Sequence, residues 1–543
     1  MKNSLHHLKI PSPWYTTAGI VALGIALRLY LLFSSHLIIE ADEALVGLQA
    51  FGILRGERPI FYPGQAYGGG LESYLVAAVF RLLGASPLTL KLIPFLFSIL
   101  FIFMTYQLAK EIYSPEIGLL SALLVALCPL LLTSASLKAW AGYIETPVLG
   151  GVAFLLLYRA LYVEKETKQR WIAILALGAV SGLGLWVNPQ YFYYLGPVTL
   201  LLLIKVKQVR LVGLAAFAIG VFLGGVPLLI GYLNPAEGTG TTSLTEGIVP
   251  AKDFWLYFEA AIRYFFSDGL LTLWGVRPIR GKLAFNLLFA VVPIYLAAIV
   301  SAFWQRGKES LERPSKPSTI LIAFLLFSPF IFTLGALTNG NYTVIIPDSG
   351  LLVRYVTPLY TAMPALLARF IAYLFHSSER RRLAMGLLSI VLLVNLWSNV
   401  AIDHVDAMRS VFENVPLPAS NKALIDFLDS QGIRYVYTNH WIGFRLMFET
   451  QERVVTFDYP DSLYGMDRIP QYGHQVEAAK VPPAYILFNP GWKQTPPLEK
   501  KLQKLGVHYE KKAFPPLEYI VYYHLSRKVH PSEVMETLVW PYY

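Results

Sequence analysis

The sequence predicts an α-helical polytopic membrane protein of about eleven transmembrane helices, with interfacial helices in its outer loops and a small α/β soluble domain at its C-terminus. Three observations lead there. Only 15% of the 543 residues are charged and 55% are hydrophobic; the mean hydropathy is +0.50, more apolar surface than one water-soluble core can hold. The apolar residues fall in runs such as Thr17 to Phe33, Leu88 to Leu108, Ile117 to Ser134 and Leu283 to Trp304, close to the length that crosses a hydrocarbon layer about 30 Å thick. Beyond the run Leu383 to Ile402 the composition turns polar, and no later run is long enough to cross.

The first run follows Lys2 and Lys9, which would also suit a secretory signal peptide. Arg28 interrupts it and no small-x-small site closes it, so it reads as a retained first span. Counting from a cytoplasmic N-terminus, Lys110, Arg159 to Arg170, Lys205 to Arg210, Arg306 to Lys316 and Arg380 to Arg382 all fall on one face, as the positive-inside rule requires of a cell (inner) membrane protein. Much of the net charge of +10 therefore sets orientation, and nucleic acid is excluded as a partner. The single Cys128, beside Pro129 in an apolar run, rules out a disulfide framework and a thiolate metal site.

The opposite face receives the longer, acid-bearing segments His36 to Pro87, Ala135 to Pro147, Asn234 to Lys282 and Thr338 to Leu352. The working surface is expected there, outside the cell. In the first outer loop (36–87), Asp42 precedes Leu45, Leu48, Phe51 and Leu54, and the segment stops at Gly56 and Pro59. This predicts a short amphipathic helix lying in the interface plane with Asp42 near its N-cap. Phe254, Tyr257, Phe258, Ile262 and Phe265 recur at helical spacing and predict a second one.

An odd number of spans puts residues 403–543 on the same outer side as the acidic loops, leaving 1–402 as the transmembrane domain. Ser420 can cap a helix carrying Leu424, Phe427 and Leu428 that ends at Gly432. Strand-like runs at Arg434 to Thr438, Arg453 to Phe457, Tyr485 to Phe488 and Tyr519 to His524 alternate with helical stretches such as Leu498 to Leu505, the pattern of an α/β domain.

Several outer-face residues are candidates for chemistry. Glu40, Asp42 and Glu43 follow the first span directly; they are either a solvated loop or a working carboxylate cluster. A helix N-terminus favours the ionised form of Asp42, ready to act as a base or metal ligand. Tyr62 to Glu72, with its run Gly68-Gly69-Gly70, is a tight turn or a substrate contact through Tyr67 and Glu72. It lacks the Gly-Lys-Ser/Thr of a phosphate loop, and no dinucleotide fingerprint opens any later strand. Lys138, Trp140, Tyr143 and Glu145 combine an acid with flat rings suited to a sugar, although Trp and Tyr also anchor helices at interfaces. Arg28 and Arg354, near the outer ends of their spans, either meet a lipid phosphate or snorkel to head groups. Asn341-Tyr342-Thr343 is a sequon that matters only in a glycosylating host.

The first span with Arg28-Leu29, the Asp42-Glu43 pair opening the outer loop, Gly142-Tyr143-Ile144-Glu145, and Arg354-Tyr355 ahead of Pro358-Leu359-Tyr360 resemble the GT-C membrane glycosyltransferases. Among these the chain is most similar to bacterial members related to protein O-mannosyltransferases and lipid A aminoarabinose transferases. The resemblance spans the membrane domain. Asn439-His440-Trp441, Arg445 to Thr450 and Glu452-Arg453-Val454 also resemble a tail domain of some bacterial members. No single motif is highly specific; their order and topology carry the resemblance.

It implies transfer of a hexosyl or pentosyl group from a polyprenyl-phosphate donor to a hydroxyl-bearing acceptor (lipid, glycan or protein). Asp42 would be the base, with Glu43 beside it. Arg354, with Lys91 or Lys138, would hold the leaving phosphate, and Arg28, Tyr67, Tyr143 and Tyr355 would contact substrate. Glu43, Glu72 and Glu145 would hold the sugar or a divalent metal ion, the metal set being Asp42, Glu43 and Glu145; no cofactor is certain. There is no Trp-Trp-Asp-Tyr-Gly as in oligosaccharyltransferases and no large outer loop domain, which disfavours whole-oligosaccharide transfer. Lys91 stands where relatives often carry Arg, and the two differ in geometry. The rival readings are a transporter or lipid flippase, whose repeated broken spans are missing, and a noncatalytic assembly protein, which leaves Asp42 without a role.

Overall fold

The computed structural model describes residues 13–65, 67–164, 166–234, 249–278, 286–312, 316–338, 352–375, 377–409, 411–412, 415–458, 468–489, 496–514 and 518–538. The sequon at 341–343 and parts of the segments 234–282 and 338–352 lie outside these residues. Seven described helices are long and apolar enough to cross a membrane: Tyr15–Ser34, Pro87–Ile112, Glu145–Val163, Thr167–Val187, Val206–Gly224, Thr319–Leu337 and Arg381–Val400. Val353–Thr361 and Met363–Phe375 form a further pair across a 50° bend. The shorter apolar helices Pro115–Ala126, Phe192–Ile204 and Leu288–Trp304 occupy the remaining places where spans were expected.

The run expected to span from Ile117 to Ser134 is not one helix. It stops at Ala126, breaks over Leu127, Cys128 and Pro129, and restarts as Leu130–Ala135. Proline cannot donate to a helical carbonyl, and the freed backbone oxygens need partners inside a membrane bundle. Arg28 supplies two of them: it is fully buried and donates to the carbonyls of Ala126 at 3.2 Å and Val125 at 3.4 Å. Asn395 and Asn399 donate to Leu127 and Cys128, each at 2.8 Å. Arg28 thus neither meets head groups nor faces the cavity described below; it closes a helix C-terminus, where a cation is favoured.

The first connecting loop forms helices Ala41–Leu54 and Leu71–Leu83. The first was expected to lie in the interface plane, but it is buried on most sides, between the second and helix His440–Glu449 of the C-terminal domain. Asp42, Glu43 and Gln49 are its only polar residues, too few for the charged face that an interfacial helix turns to water. At Gly47 a β-carbon would stand 2.4 Å from the Phe448 ring, so glycine permits the close approach. Phe448 also stacks on Phe51, centroids 5.7 Å apart, and Arg55 pairs with Glu452 at 2.5 Å. The second expected interfacial helix is present as Phe254–Tyr264, with Trp255 and Leu256 exposed.

The C-terminal domain carries a five-stranded sheet in the order 455–458, 435–438, 484–489, 518–523, 510–513. The first three strands are parallel, and strand 518–523 runs antiparallel to both of its neighbours, with helices between the parallel strands as βαβ geometry demands. Strand Glu510–Ala513 was not anticipated: its exposed Glu-Lys-Lys-Ala pattern suits a charged sheet edge rather than a buried strand.

Candidate active site

Helix Ala41–Leu54 starts directly after the first span, with Glu40 at its N-cap and the Glu43 carboxylate accepting from the Glu40 amide at 3.2 Å. That places Asp42 in the first turn of the helix. The Tyr62 hydroxyl donates to the Asp42 carbonyl at 2.9 Å. The Asp42 side chain, 26% exposed, borders a cavity of about 380 Å³.

Two guanidinium groups flank that carboxylate. Arg354 Nη1 is 3.7 Å from Oδ2, and Arg468 Nη1, from the C-terminal domain, is 3.5 Å from Oδ1. The Arg354 guanidinium lies 5.5, 5.2 and 5.6 Å from the ring centroids of Trp140, Tyr143 and Tyr355, an aromatic enclosure that suits a cation. Tyr67, Asn188 and Gln190 add polar lining, while Phe192, Tyr193, Phe332 and Leu334 make an apolar wall. Phe192 is 49% and Leu334 56% exposed on the bundle surface, so the wall is continuous with the surface that meets lipid.

Behind Asp42 lies a buried charge network. Lys91 Nζ is 2.5 Å from Glu43 Oε1, both side chains fully buried, and Lys138 is 3.0 Å from Glu40. The Trp140 indole donates to Glu40 as well, and the Ala139 amide to Glu43 at 3.3 Å. Burial pushes the Glu43 carboxyl above its ordinary range and the Lys91 ammonium pulls it back. The network ties residues 40–43 to segment 137–140 and so fixes Asp42 relative to Trp140.

Of the residues singled out in the sequence, the cavity brings together Asp42, Tyr67, Tyr143, Arg354 and Tyr355. Lys91 and Lys138 are not in its lining; each is engaged by a buried glutamate. Glu72 and Glu145 also lie behind the wall, both buried. Glu72 accepts from the Gly142 amide at 3.2 Å, and Glu145 stands in the first turn of helix Glu145–Tyr158. Burial, and next the Glu145 charge, raise the Glu72 carboxyl well above the usual carboxylate range. Among the described residues no three His, Cys, Asp or Glu side chains are placed to share a metal ion: Asp42 faces arginines, Glu43 faces Lys91, and Glu145 lies near Glu72. Arg468 was missed, since it sits in a polar stretch of the last domain with no pattern to mark it.

Residues 71–230 match the family model described as dolichyl-phosphate-mannose-protein mannosyltransferase. Among curated proteins none matches the sequence. Among solved structures, ArnT from Cupriavidus metallidurans bound to undecaprenyl phosphate aligns over 93% of this chain and 98% of its own, with 12% identity and a TM-score of 0.57. The Archaeoglobus fulgidus oligosaccharyltransferase in the apo form aligns over 88% of this chain and 70% of its own, at 14% identity and a TM-score of 0.55. The A. fulgidus oligosaccharyltransferase AglB, in complex with an inhibitory peptide and a dolichol-phosphate, aligns over 87% and 69%, at 12% identity and a TM-score of 0.52. These alignments run along nearly the whole chain, and the protein shares the fold of ArnT and of the A. fulgidus oligosaccharyltransferase.

Proposed function

We propose that the protein transfers one sugar from a polyprenyl-phosphate carrier to an acceptor hydroxyl at the extracytoplasmic face of the cell membrane. The observation that carries this reading is the juxtaposition of Asp42 and Arg354 in a cavity whose other wall is apolar and reaches the lipid-facing surface. A polyprenyl chain gains roughly 0.8 kcal/mol per buried methylene, so the donor stays in the bilayer and its phosphate can reach only a site at the rim. ArnT and AglB have been captured with undecaprenyl phosphate and dolichol-phosphate respectively, which supports the same class of carrier here. The basic loops on the opposite face favour an external location for residue 42.

In this reading the acceptor oxygen attacks the anomeric carbon while Asp42 takes its proton. The bond from that carbon to the phosphate oxygen breaks, its electron pair stays on the phosphate, and Arg354 stabilises the charge that develops. Tyr67, Tyr143 and Tyr355 offer ring faces and hydroxyls to the sugar.

The test uses membranes carrying the protein and radiolabelled polyprenyl-phosphate sugars. Sugar release by the wild type and its loss in Asp42→Asn are expected; full activity in the variant overturns the role of Asp42. Reagent labelling of a cysteine placed at residue 42 checks the face, and labelling only from the cytoplasm overturns the location.

A further inference from the structure

We propose that Arg468 is a phosphate-binding residue of the active site, which makes the C-terminal domain part of the catalytic centre. The inference rests on the donor class proposed above and adds to it a substrate contact that no span supplies.

Three observations carry it. First, Arg468 lines the same cavity as Asp42 and Arg354, approaching from the side of the C-terminal domain. Its 3.5 Å approach to Asp42 is long for a charge-assisted hydrogen bond of about 2.8 Å, as is the Arg354 contact at 3.7 Å, so among the described residues the carboxylate closes off neither guanidinium group from a further anion. Second, its position is built. At Gly64, with φ of +72°, a β-carbon would stand 2.5 Å from Arg468 Cγ. The first-loop turn therefore opens a slot for the arginine stem that an L side chain would close both by volume and by backbone strain. The Gly47–Phe448 contact and the Arg55–Glu452 pair hold the domain on the same loop.

Third, the charges of the described lining side chains suit a lipid phosphate. Among the described residues the charged side chains of the lining are two guanidinium groups and one carboxylate, an excess of one positive charge in a partly desolvated site. A phosphodiester donor brings one negative charge. During transfer Asp42 gains a proton and becomes neutral, while the phosphodiester becomes a phosphomonoester with a second negative charge. The sum is unchanged, and negative charge passes from carboxylate to phosphate between the same two arginines. Such a site needs no counterion movement at the moment of reaction.

The experiment measures binding of undecaprenyl phosphate, with neutral undecaprenol as control, to the full-length protein in lipid nanodiscs. The wild type is expected to prefer the phosphate. Arg468→Ala should weaken phosphate binding about 10-fold or more without changing undecaprenol binding, and Arg468→Lys should recover part of the loss. Equal affinity of wild type and Arg468→Ala for the phosphate overturns the inference while leaving the donor class standing. A wild type that does not discriminate phosphate from alcohol overturns the donor class itself. Should Arg468→Ala lower the melting temperature, Arg468→Met keeps the packing stem on Gly64 and reads the charge alone: unchanged phosphate affinity in that variant overturns the inference, and a loss of similar size supports it.

Discussion

Glu43 and Lys91 form an ion pair at 2.5 Å with neither side chain accessible to solvent, one residue along the helix from Asp42. Removing one partner strands a buried charge, at a cost of about 3–5 kcal/mol, whereas replacing both with apolar groups of similar volume is often neutral. Lys91→Met is therefore expected to lower the melting temperature in detergent sharply, and Glu43→Leu combined with Lys91→Met to recover most of it. If the two single losses simply add in the double variant, the pair is not coupled.

The C-terminal domain is seated through Phe448, which fills the space over Gly47 and stacks on Phe51. Phe448→Ala opens a cavity, with a loss of about 3–5 kcal/mol expected of a buried phenylalanine. Gly47→Leu should also unseat the domain, because its side chain needs the volume of the ring. Limited proteolysis between residues 400 and 420 reads both, and protection equal to wild type in both variants would show that the docking lies elsewhere.

Two buried groups outside the spans set opposite pH limits. The Glu72 carboxyl is raised by burial and by Glu145, so the folded state keeps a proton that the unfolded chain releases near pH 4.3. That stability is complete below the unfolded value and is lost as pH rises through the raised one. His440 goes the other way: burial, then the Arg468 charge, lower it from 6.5 to about 3. Its contribution is complete above about pH 6.5 and is lost as pH falls toward 3. Melting temperature is expected to pass through a maximum with pH. Glu72→Gln should flatten the alkaline limb and His440→Gln the acid limb; a limb unchanged by its substitution removes that group as its cause.

Trp140 touches both the buried network and the cavity: its indole donates to Glu40 and its ring lies 5.5 Å from the Arg354 guanidinium. Trp140→Phe keeps a ring and removes the donor, whereas Trp140→Leu removes the ring as well. Undecaprenyl phosphate binding should fall little in the first and several-fold more in the second, by the roughly 0.5–2 kcal/mol of a cation over an aromatic face. Equal losses would assign the residue to the Glu40 hydrogen bond alone.

Hydropathy located the membrane helices because a bilayer demands about twenty apolar residues whatever the fold. It did not see the break at Leu127 to Pro129, since leucine, cysteine and proline interrupt no hydropathy average, and the polar groups that repair it, Arg28, Asn395 and Asn399, come from two distant helices. Helix Ala41–Leu54 was legible from its periodicity, but its covering by His440–Glu449 was not: such pairing is a tertiary fact with no local trace. Asp42 stood out because charge beside a span is costly and conspicuous. Lys91 and Lys138 looked equally available, and only the fold reveals that Glu43 and Glu40 claim them. Arg468 lies among ordinary polar residues, and nothing short of the folded chain distinguishes it from its neighbours.

Asp42 and Arg468 meet although 426 positions separate them. The pair therefore joins the loop that follows the first span to the last domain of the chain. The cavity wall is complete only when the C-terminal domain is docked, so a chain cut before that domain would leave Asp42 with Arg354 as its single guanidinium neighbour among the described residues.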